Sequence, residues 1–453
     1  MNAIVIGGGL SGLLAARELA RRGMQVTLFE SARTFGGAIA GAELGGVTSD
    51  IGAEAFAITR PEALELIAEL GLSDQVITPA RSDAHLWSES GTAELPRSLM
   101  GIPCDLSDPA LARILTAKEI ASAQKFDAQD FPSDLDPEIT LGDLVRLRMG
   151  EAVVRRILTP VVAGVHAVDP DLVEAEAVIP GLLSRCSETG SLAGASDSFR
   201  SASGAPGSAI NGLRGGMTTL INALVADLEG VNVKSNRTVT AVRKSKTGWI
   251  VETADVSLRT DNVVLAISAP AARRVLRGQD RINAALEKFS VGDVAVVSLV
   301  VQSAKLDKAP VGSGALVDPD QTTVRAKALT HASAKWDWIK DTFGPGTHLI
   351  RLSYGRNGVI EESLDELPDQ ARRDAERILG VKLPKVTDVK VTRWADSLVH
   401  QRVGHRQNVR TLQEAVAAQE GLAIIGAGIG GNGIAGSIAY SRTLAEQLGS
   451  SDA

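Results

Sequence analysis

A chain of 453 residues, 44% hydrophobic and 22% charged, is long enough for two or three domains at roughly 150 residues each. That balance excludes wholesale disorder, and 54 acidic against 47 basic residues, a net charge of -7, argues against nucleic acid as a partner. Two cysteines, Cys104 and Cys186, exclude a disulfide scaffold and a cysteine-rich metal or iron–sulfur site, so no metal is expected.

Residues 1–16 are apolar but carry no basic lead and run into Arg17-Glu18, so they do not read as a secretory signal. Within them, Ala3-Ile4-Val5-Ile6 is a short apolar run, the pattern of a parallel strand covered on both faces. Gly7, Gly9 and Gly12 follow in G-x-G-x-x-G spacing around Gly8, Leu10 and Ser11. Leu13, Ala16 and Ala20 then fall on one face of a helix that Gly23 stops. Residues 25–29 read as a second strand ending in Glu30.

Each part has a task in binding a dinucleotide. Gly7 permits the tight turn, Gly9 lets a pyrophosphate approach the backbone, and Gly12 lets helix and strand pack closely. The helix N-terminus offers N–H groups to phosphate, and Glu30 suits ribose hydroxyls. The fingerprint by itself fits NAD or FAD. Gly36-Gly37, Gly41, Gly45-Gly46 and the run Asp50-Ile51-Gly52-Ala53-Glu54-Ala55-Phe56 then suggest backbone lying along an extended ligand.

Further along, helical patterns cover 108–126 and 141–159, and residues 186–211 are rich in Ser, Gly and Ala without periodicity. That stretch is expected as a long loop that gates access. A helix at 218–228 and strands at 231–234, 238–242 and 249–253 follow. Strand-like runs at 294–301 and 348–353 and a helix at 367–379 fit a second sheet. Residues 421–441 are uncharged and long enough to cross a bilayer, yet hold seven glycines and Asn432. They read as a buried strand, a glycine turn and a helix from about Ala435. That helix N-terminus would stabilise charge on a reduced flavin, although the glycines equally serve close helix–sheet packing.

Taken with Gly7–Gly12, Glu30, Gly36-Gly37, Asp50-x-Gly52-Ala53 and the C-terminal glycines, several other segments resemble a known group. Residues 159–170, TPVVAGVHAVDP, are similar to a "GVYAGDP" segment, and 213–220, LRGGMTTL, to a "GGMxxL" signature. Residues 263–270, VVLAISAP, are similar to a "VVLATPA" strand, and Lys327–His331 with Trp336 and Arg393-Trp394 through His405 complete the set. The chain thus resembles the FAD-dependent amine-oxidase/protoporphyrinogen-oxidase superfamily, and within it the soluble Gram-positive coproporphyrinogen III oxidases of haem synthesis.

The resemblance implies an α/β protein: a Rossmann-like FAD-binding domain (1–75, 205–280 and 385–453), a mixed-sheet substrate domain (76–99 and 281–384) and a helical lobe (100–204). It implies FAD held by Gly7, Gly8, Gly9, Leu10, Ser11, Gly12, Glu30, Ser31 and Arg33, by Gly36, Gly37, Ala38, Gly52, Ala53, Glu54 and Ala55, by the Val239 backbone, and by Trp394, Gly428, Asn432, Gly433 and Ile434. Ala38 departs from the family's basic residue there, so one pyrophosphate contact is either missing or supplied by Arg33. Hydride would pass from the macrocycle to the flavin, and O2 would reoxidise it with release of hydrogen peroxide, without a dedicated acid or base. The Gly164 carbonyl would face the substrate. His166 and Arg97 are candidate propionate contacts, as are Arg214 and Arg351, although a lone His is more often structural and most arginines form ordinary ion pairs.

Protoporphyrinogen IX remains an alternative substrate. An amine oxidase usually needs an aromatic cage, and two tyrosines, Tyr354 and Tyr440, are little material for one. A carotenoid desaturase fits the motifs less well. A non-catalytic carrier like the GDP-dissociation inhibitors would lack the intact fingerprint. A cytoplasmic protein with no integral membrane segment is expected, in transient contact with the next haem-pathway enzyme.

Overall fold

The computed structural model describes residues 1–58, 60–201, 210–430 and 433–449, without the side chains at 166, 201, 445, 447 and 449. Five short apolar runs form one sheet in the spatial order Val231–Lys234, Gln25–Phe29, Asn2–Ile6, Asn262–Leu265, Leu422–Ile424, with all neighbours parallel. Side chains alternate across a strand, so this sheet builds two cores. Ala3, Val5, Val26 and Leu28 pack with Leu13, Leu14, Leu224 and Ile438, the apolar faces of helices Leu10–Arg21, Thr218–Ala226 and Ile434–Gly449. Ile4, Ile6, Val263 and Leu265 face the other way, onto Val242, Trp249 and Val251 of a smaller mixed sheet. Burial on both faces explains the unbroken hydrophobic runs.

A second sheet of seven strands runs Val386–Val399, Val291–Gln302, Thr347–Tyr354, Ala328–His331, Gly314–Val317, Ala84–Ser88, Gly91–Glu94. It is antiparallel except where Gly314–Val317 lies parallel to Ala84–Ser88. Leu299, Leu329 and Leu352 bury against Ala371, Ala375 and Ile378 of helix Leu367–Leu379. The strand Val386–Val399 corrects one sequence boundary. Grouped there with the C-terminal piece of the parallel domain, it is the edge strand of this second sheet. A fourteen-residue strand beside a twelve-residue one gains a long ladder, which outweighs proximity in sequence.

The helical lobe also departs from expectation. The pattern at 108–126 splits into a short 3-10 turn, Pro109–Arg113, and the helix Ala117–Asp127, which begins at a Thr116–Glu119 capping box. The pattern at 141–159 stops at Met149 because Gly150 adopts φ 86°, and the chain resumes helix through a π turn, Val154–Leu158. Residues 202–209 of the expected loop 186–211 lie outside the described residues; most of its described part is helical, as Leu182–Thr189 and Leu192–Ser201. Leu192 and Ala195 are buried in the lobe's core, and Asp127 accepts the N–H groups of Leu192 and Ala193 at 2.7 and 3.0 Å. Burial plus a cap supplied from afar made a helix where local periodicity gave no sign. Among the described residues no helix is long and apolar enough to cross a membrane.

Candidate functional site

The site starts at the carboxyl ends of the parallel strands, where open α/β sheets bind ligands. The three fingerprint glycines do three different things. Gly7 has φ +106°, and a Cβ there would lie 2.3 Å from the Ala266 carbonyl oxygen. A Cβ on Gly12 would lie 1.8 Å from the Gly7 oxygen, so only glycine lets the helix sit this close to the strand. A Cβ on Gly9 would meet nothing nearer than Gly37 Cα at 3.8 Å. Gly9 therefore faces space, the space a phosphate needs.

Leu10, Ser11 and Gly12 precede the first intrahelical bond, which Leu13 N–H donates to Gly9 O at 2.9 Å, and Gly9 caps with no side chain. Their N–H groups are thus left to a ligand at the positive end of the helix dipole. Glu30 Oε2 accepts from Gly8 N–H and Oε1 from Ala32 N–H, both at 2.6 Å, with Ser31 Oγ at 3.2 Å. Glu30 thereby fixes the loop it was expected to serve. Gly36 N–H donates to Gly8 O at 2.8 Å, which lays the second glycine pair beside the first. Arg33 and Ala38 are both exposed.

From there a continuous backbone path leads towards the second sheet. Ala38 O accepts from Ala53 N–H at 2.9 Å, and a Cβ on Gly52 would lie 2.0 Å from Ala38 O and 3.1 Å from the Trp394 ring. Trp394 Nε1–H donates to Ile51 O at 3.1 Å, so the edge strand of the second sheet closes on the loop 50–55. At the far end Gly428 presses on Val399, and His405 Nε2 lies 2.7 Å from Gly428 O in a buried contact. Gly433 and Ile434 stand at the start of helix Ile434–Gly449, while Asn432 lies outside the described residues. Val239 opens the strand Val239–Lys244 and packs in the cluster that holds Ile6 and Phe29, just before Gly7 and Glu30.

Charge enters from the second sheet. Glu54 accepts from Lys335 Nζ at 2.5 Å and from the Arg351 guanidinium, whose Nη2 also donates to Gly52 O at 2.6 Å. Burial pushes the Glu54 carboxyl up, but the two cations and their hydrogen bonds overcome it and hold it at about 2. Asp50 behaves oppositely. Burial raises it to about 6, although both its oxygens accept Met217 N–H at 3.0 Å and so cap helix Thr218–Ala226. Lys335 and the pairing of Arg351 escaped the sequence reading, because Lys335 stands 281 and Arg351 297 residues from Glu54. No local signal marks such a pair.

The substrate candidates divide. Gly164 lies in helix Thr159–His166 against the second sheet, where a Cβ would meet Leu316 Cδ2 at 2.5 Å and Lys327 O at 3.7 Å. His166 ends that helix, but its side chain lies outside the described residues. Arg97 and Arg351 are both engaged, Arg97 with Asp197 of helix Leu192–Ser201 and Arg351 with Glu54. Neither guanidinium is free for a propionate as placed. Arg214 is exposed.

A glycine cradle at the ends of a parallel sheet, with the edge strand of a second sheet closing on the loop beside it, defines a dinucleotide-binding protein. Residues 10–448 match the family of flavin containing amine oxidoreductases, and the chain belongs to that family. A relative from Mycobacterium tuberculosis (strain ATCC 25618 / H37Rv), named coproporphyrinogen III oxidase, is 30% identical over 441 residues, which is 95% of this chain and 93% of that one. Another of that name, from Bacillus subtilis (strain 168), is 26% identical and covers 96% of this chain and 94% of its own. A crystal structure from Exiguobacterium sp. 255-15, provisionally titled protoporphyrinogen oxidase, superposes with a TM-score of 0.87 at 24% identity over 99% of this chain and 98% of that one. The chain is a flavoenzyme by family. The open space at Gly9 and the uncommitted N–H groups of residues 10–12 fit such a cofactor.

Proposed function

We propose that this protein oxidises coproporphyrinogen III to coproporphyrin III with FAD as cofactor, molecular oxygen as electron acceptor and hydrogen peroxide as the reduced product. The observation that carries the reading is full-length similarity to relatives of that name from both mycobacteria and Bacillus. Bound FAD supplies acceptance of electrons in pairs, and the protein supplies position. Gly7, Gly8, Gly9, Leu10, Ser11 and Gly12 hold the pyrophosphate through backbone N–H groups, with Arg33 beside it, Glu30 and Ser31 at the ribose and the Val239 backbone at the adenine. Gly36, Gly37, Ala38, Gly52, Ala53, Glu54, Ala55 and Trp394 line the ring system. Gly428, Asn432, Gly433 and Ile434 meet its far edge.

In this reading 1–75, 205–280 and the chain beyond the strand Val386–Val399 form the cofactor unit. Residues 76–99 and 281–384 with that strand form the substrate unit, and 100–204 the lobe beside it. The Gly164 carbonyl faces the macrocycle, and propionates are contacted by His166 and, once Asp197 gives way, by Arg97. The remaining contribution is orientation and exclusion of water, which requires no acid–base dyad. A cytoplasmic enzyme that hands a reactive product to the next enzyme of haem synthesis completes the proposal.

The purified protein is expected to be yellow and to release a cofactor with the mass of FAD. Coproporphyrinogen III and protoporphyrinogen IX, assayed in parallel under air by porphyrin fluorescence and peroxide yield, decide the substrate. Faster oxidation of the first is expected. A reversed preference assigns the protein to protoporphyrinogen, and oxidation of neither by FAD-loaded protein overturns the reading.

A further inference from the structure

Gly428 sits in the turn 426–430 that leads from the parallel strand Leu422–Ile424 towards helix Ile434–Gly449. The turn holds itself loosely: the N–H groups of Ile429 and Gly430 donate to Gly426 O at 3.3 and 3.4 Å. Its shortest tether among the described residues comes from another element. His405 Nε2 lies 2.7 Å from Gly428 O, and the contact is buried. A carbonyl only accepts, so Nε2 carries the proton. Burial disfavours protonation of the imidazole, which leaves a neutral ring in the Nε2–H tautomer at neutral pH.

Several neighbours keep that imidazole in place. Gly404, at φ 81°, turns the chain into helix His405–Ala417, and the Phe289 ring stands edge-on to His405 with centroids 5.5 Å apart. Ahead of the helix, His400 N–H donates to Ser290 O at 2.9 Å and Val403 N–H to Leu172 O at 3.2 Å. The next residue, Arg406, pairs with the buried Glu174 carboxylate and donates to Pro137 O at 3.0 Å. The segment is therefore anchored beside the second sheet and on the helical lobe before it reaches the turn.

The same stretch of chain grips two loops. Trp394 Nε1–H bonds Ile51 O of loop 50–55, and further along His405 bonds Gly428 O. Between them Val399 fills the space that a Cβ on Gly428 would need, 2.5 Å from its Cγ1. One anchored segment thus sets the two loops relative to each other, and the Gly428 carbonyl is where the second is fixed. Removing the donor leaves a buried carbonyl without a partner, a cost that a glycine-rich turn relieves by moving.

We propose that His405 is a positioning residue for the flavin: through Gly428 it fixes the turn 426–430, and with it the start of helix Ile434–Gly449, against the far edge of the ring system. The proposal rests on the reading above that this turn meets that edge. The positive end of the helix favours charge on the reduced flavin, so a displaced turn weakens the reduced form more than the oxidised one.

The test uses the flavin-loaded full chain with His405→Phe, His405→Gln, Gly433→Ala and, as a stability control, Ile378→Ala in the core of the second sheet. Midpoint potential is measured by dye equilibration, alongside the visible flavin spectrum and melting temperature. H405F keeps a ring against Phe289 but has no donor. In it the reduced flavin is expected to bind about tenfold less tightly relative to the oxidised one, a fall of about 30 mV for a two-electron couple. H405Q, whose amide offers a donor in place of Nε2, is expected to stay within about threefold of wild type. I378A is expected to melt earlier with an unmoved potential. An unmoved potential in H405F, an equal shift in I378A, or no rescue by H405Q overturns the positioning role. Gly433→Ala tests the underlying reading, because Gly433 stands at the helix start and a Cβ there meets nothing within 4 Å. A shift in G433A with none in H405F removes His405 and leaves the turn at the flavin, whereas no shift in either removes both. If H405F holds no flavin, H405N, whose shorter amide does not reach Gly428, is compared with H405Q, and equal potentials count against the role.

Discussion

The two sheets present their working groups in opposite ways. On the parallel sheet the cradle is made of backbone: Gly7, Gly9 and Gly12 shape it, and N–H groups of residues 10–12 carry its polarity. On the side of the seven-stranded sheet the working groups are long charged side chains, Arg351, buried in its strand, and Lys335, half-buried on the helix Ala332–Lys335, which share the Glu54 carboxylate. A backbone cradle is preorganised by the turn itself and loses little when solvent enters. Buried charges are held by distant partners, so removing one partner leaves the other exposed to the full cost of desolvation. The difference predicts that the two regions fail differently when perturbed.

The largest effect should follow Glu54→Gln, which leaves Lys335 and Arg351 without their anion. A loss of about 3–5 kcal/mol is expected from denaturant or thermal unfolding. Its pH signature is specific. Because the folded carboxyl is held at about 2 against an ordinary 4.5, its stabilisation is complete above 4.5 and fades as pH falls towards 2. The Gln variant should lack that dependence, and a variant as stable as wild type would show that the triad is not what joins loop 50–55 to the second sheet.

Next comes Gly12→Ala, whose Cβ would overlap the Gly7 carbonyl at 1.8 Å. About 3 kcal/mol of destabilisation is expected from the forced separation of helix and strand, with loss of the flavin on gel filtration. Gly9→Ala sharpens the contrast, since its Cβ meets nothing nearer than 3.8 Å. The cofactor-free protein should melt within about 0.5 kcal/mol of wild type. Flavin affinity, titrated by fluorescence, should nevertheless fall about tenfold, or roughly 1.4 kcal/mol.

The smallest effect belongs to Asp50→Asn, about 1 kcal/mol or less, because Asn still accepts at a helix N-terminus. Here the sign reverses. The folded carboxyl, raised from 3.8 to about 6, binds its proton more tightly than the unfolded one, so this group makes stability fall as pH rises between those values. Stability curves of wild type and D50N that run parallel across that window would remove Asp50 from the account.

These contrasts track what could be read without coordinates. The fingerprint at Gly7–Gly12 was legible because a turn, a helix start and an acidic residue 21 positions after Gly9 all act within one short segment. The helix Leu367–Leu379 was legible for the same reason, its apolar face repeating locally. The edge strand Val386–Val399 was assigned to the wrong neighbour because pairing partners are chosen by the ladder they offer, not by distance along the chain. Helix Leu192–Ser201 read as loop because its burial and the Asp127 carboxylate that supplements its local Ser191 cap come from other elements of the lobe.

The amino-acid sequence alone determined the parallel sheet, the glycine cradle and the family resemblance, since each rests on backbone preferences expressed over a few neighbouring residues. Tertiary structure decided which charges meet: that Glu54 is shared by Lys335 and Arg351, and that Arg97 is taken by Asp197. Charge pairing depends on distance in space and on exclusion of water, and neither is defined until the sheets have closed on each other.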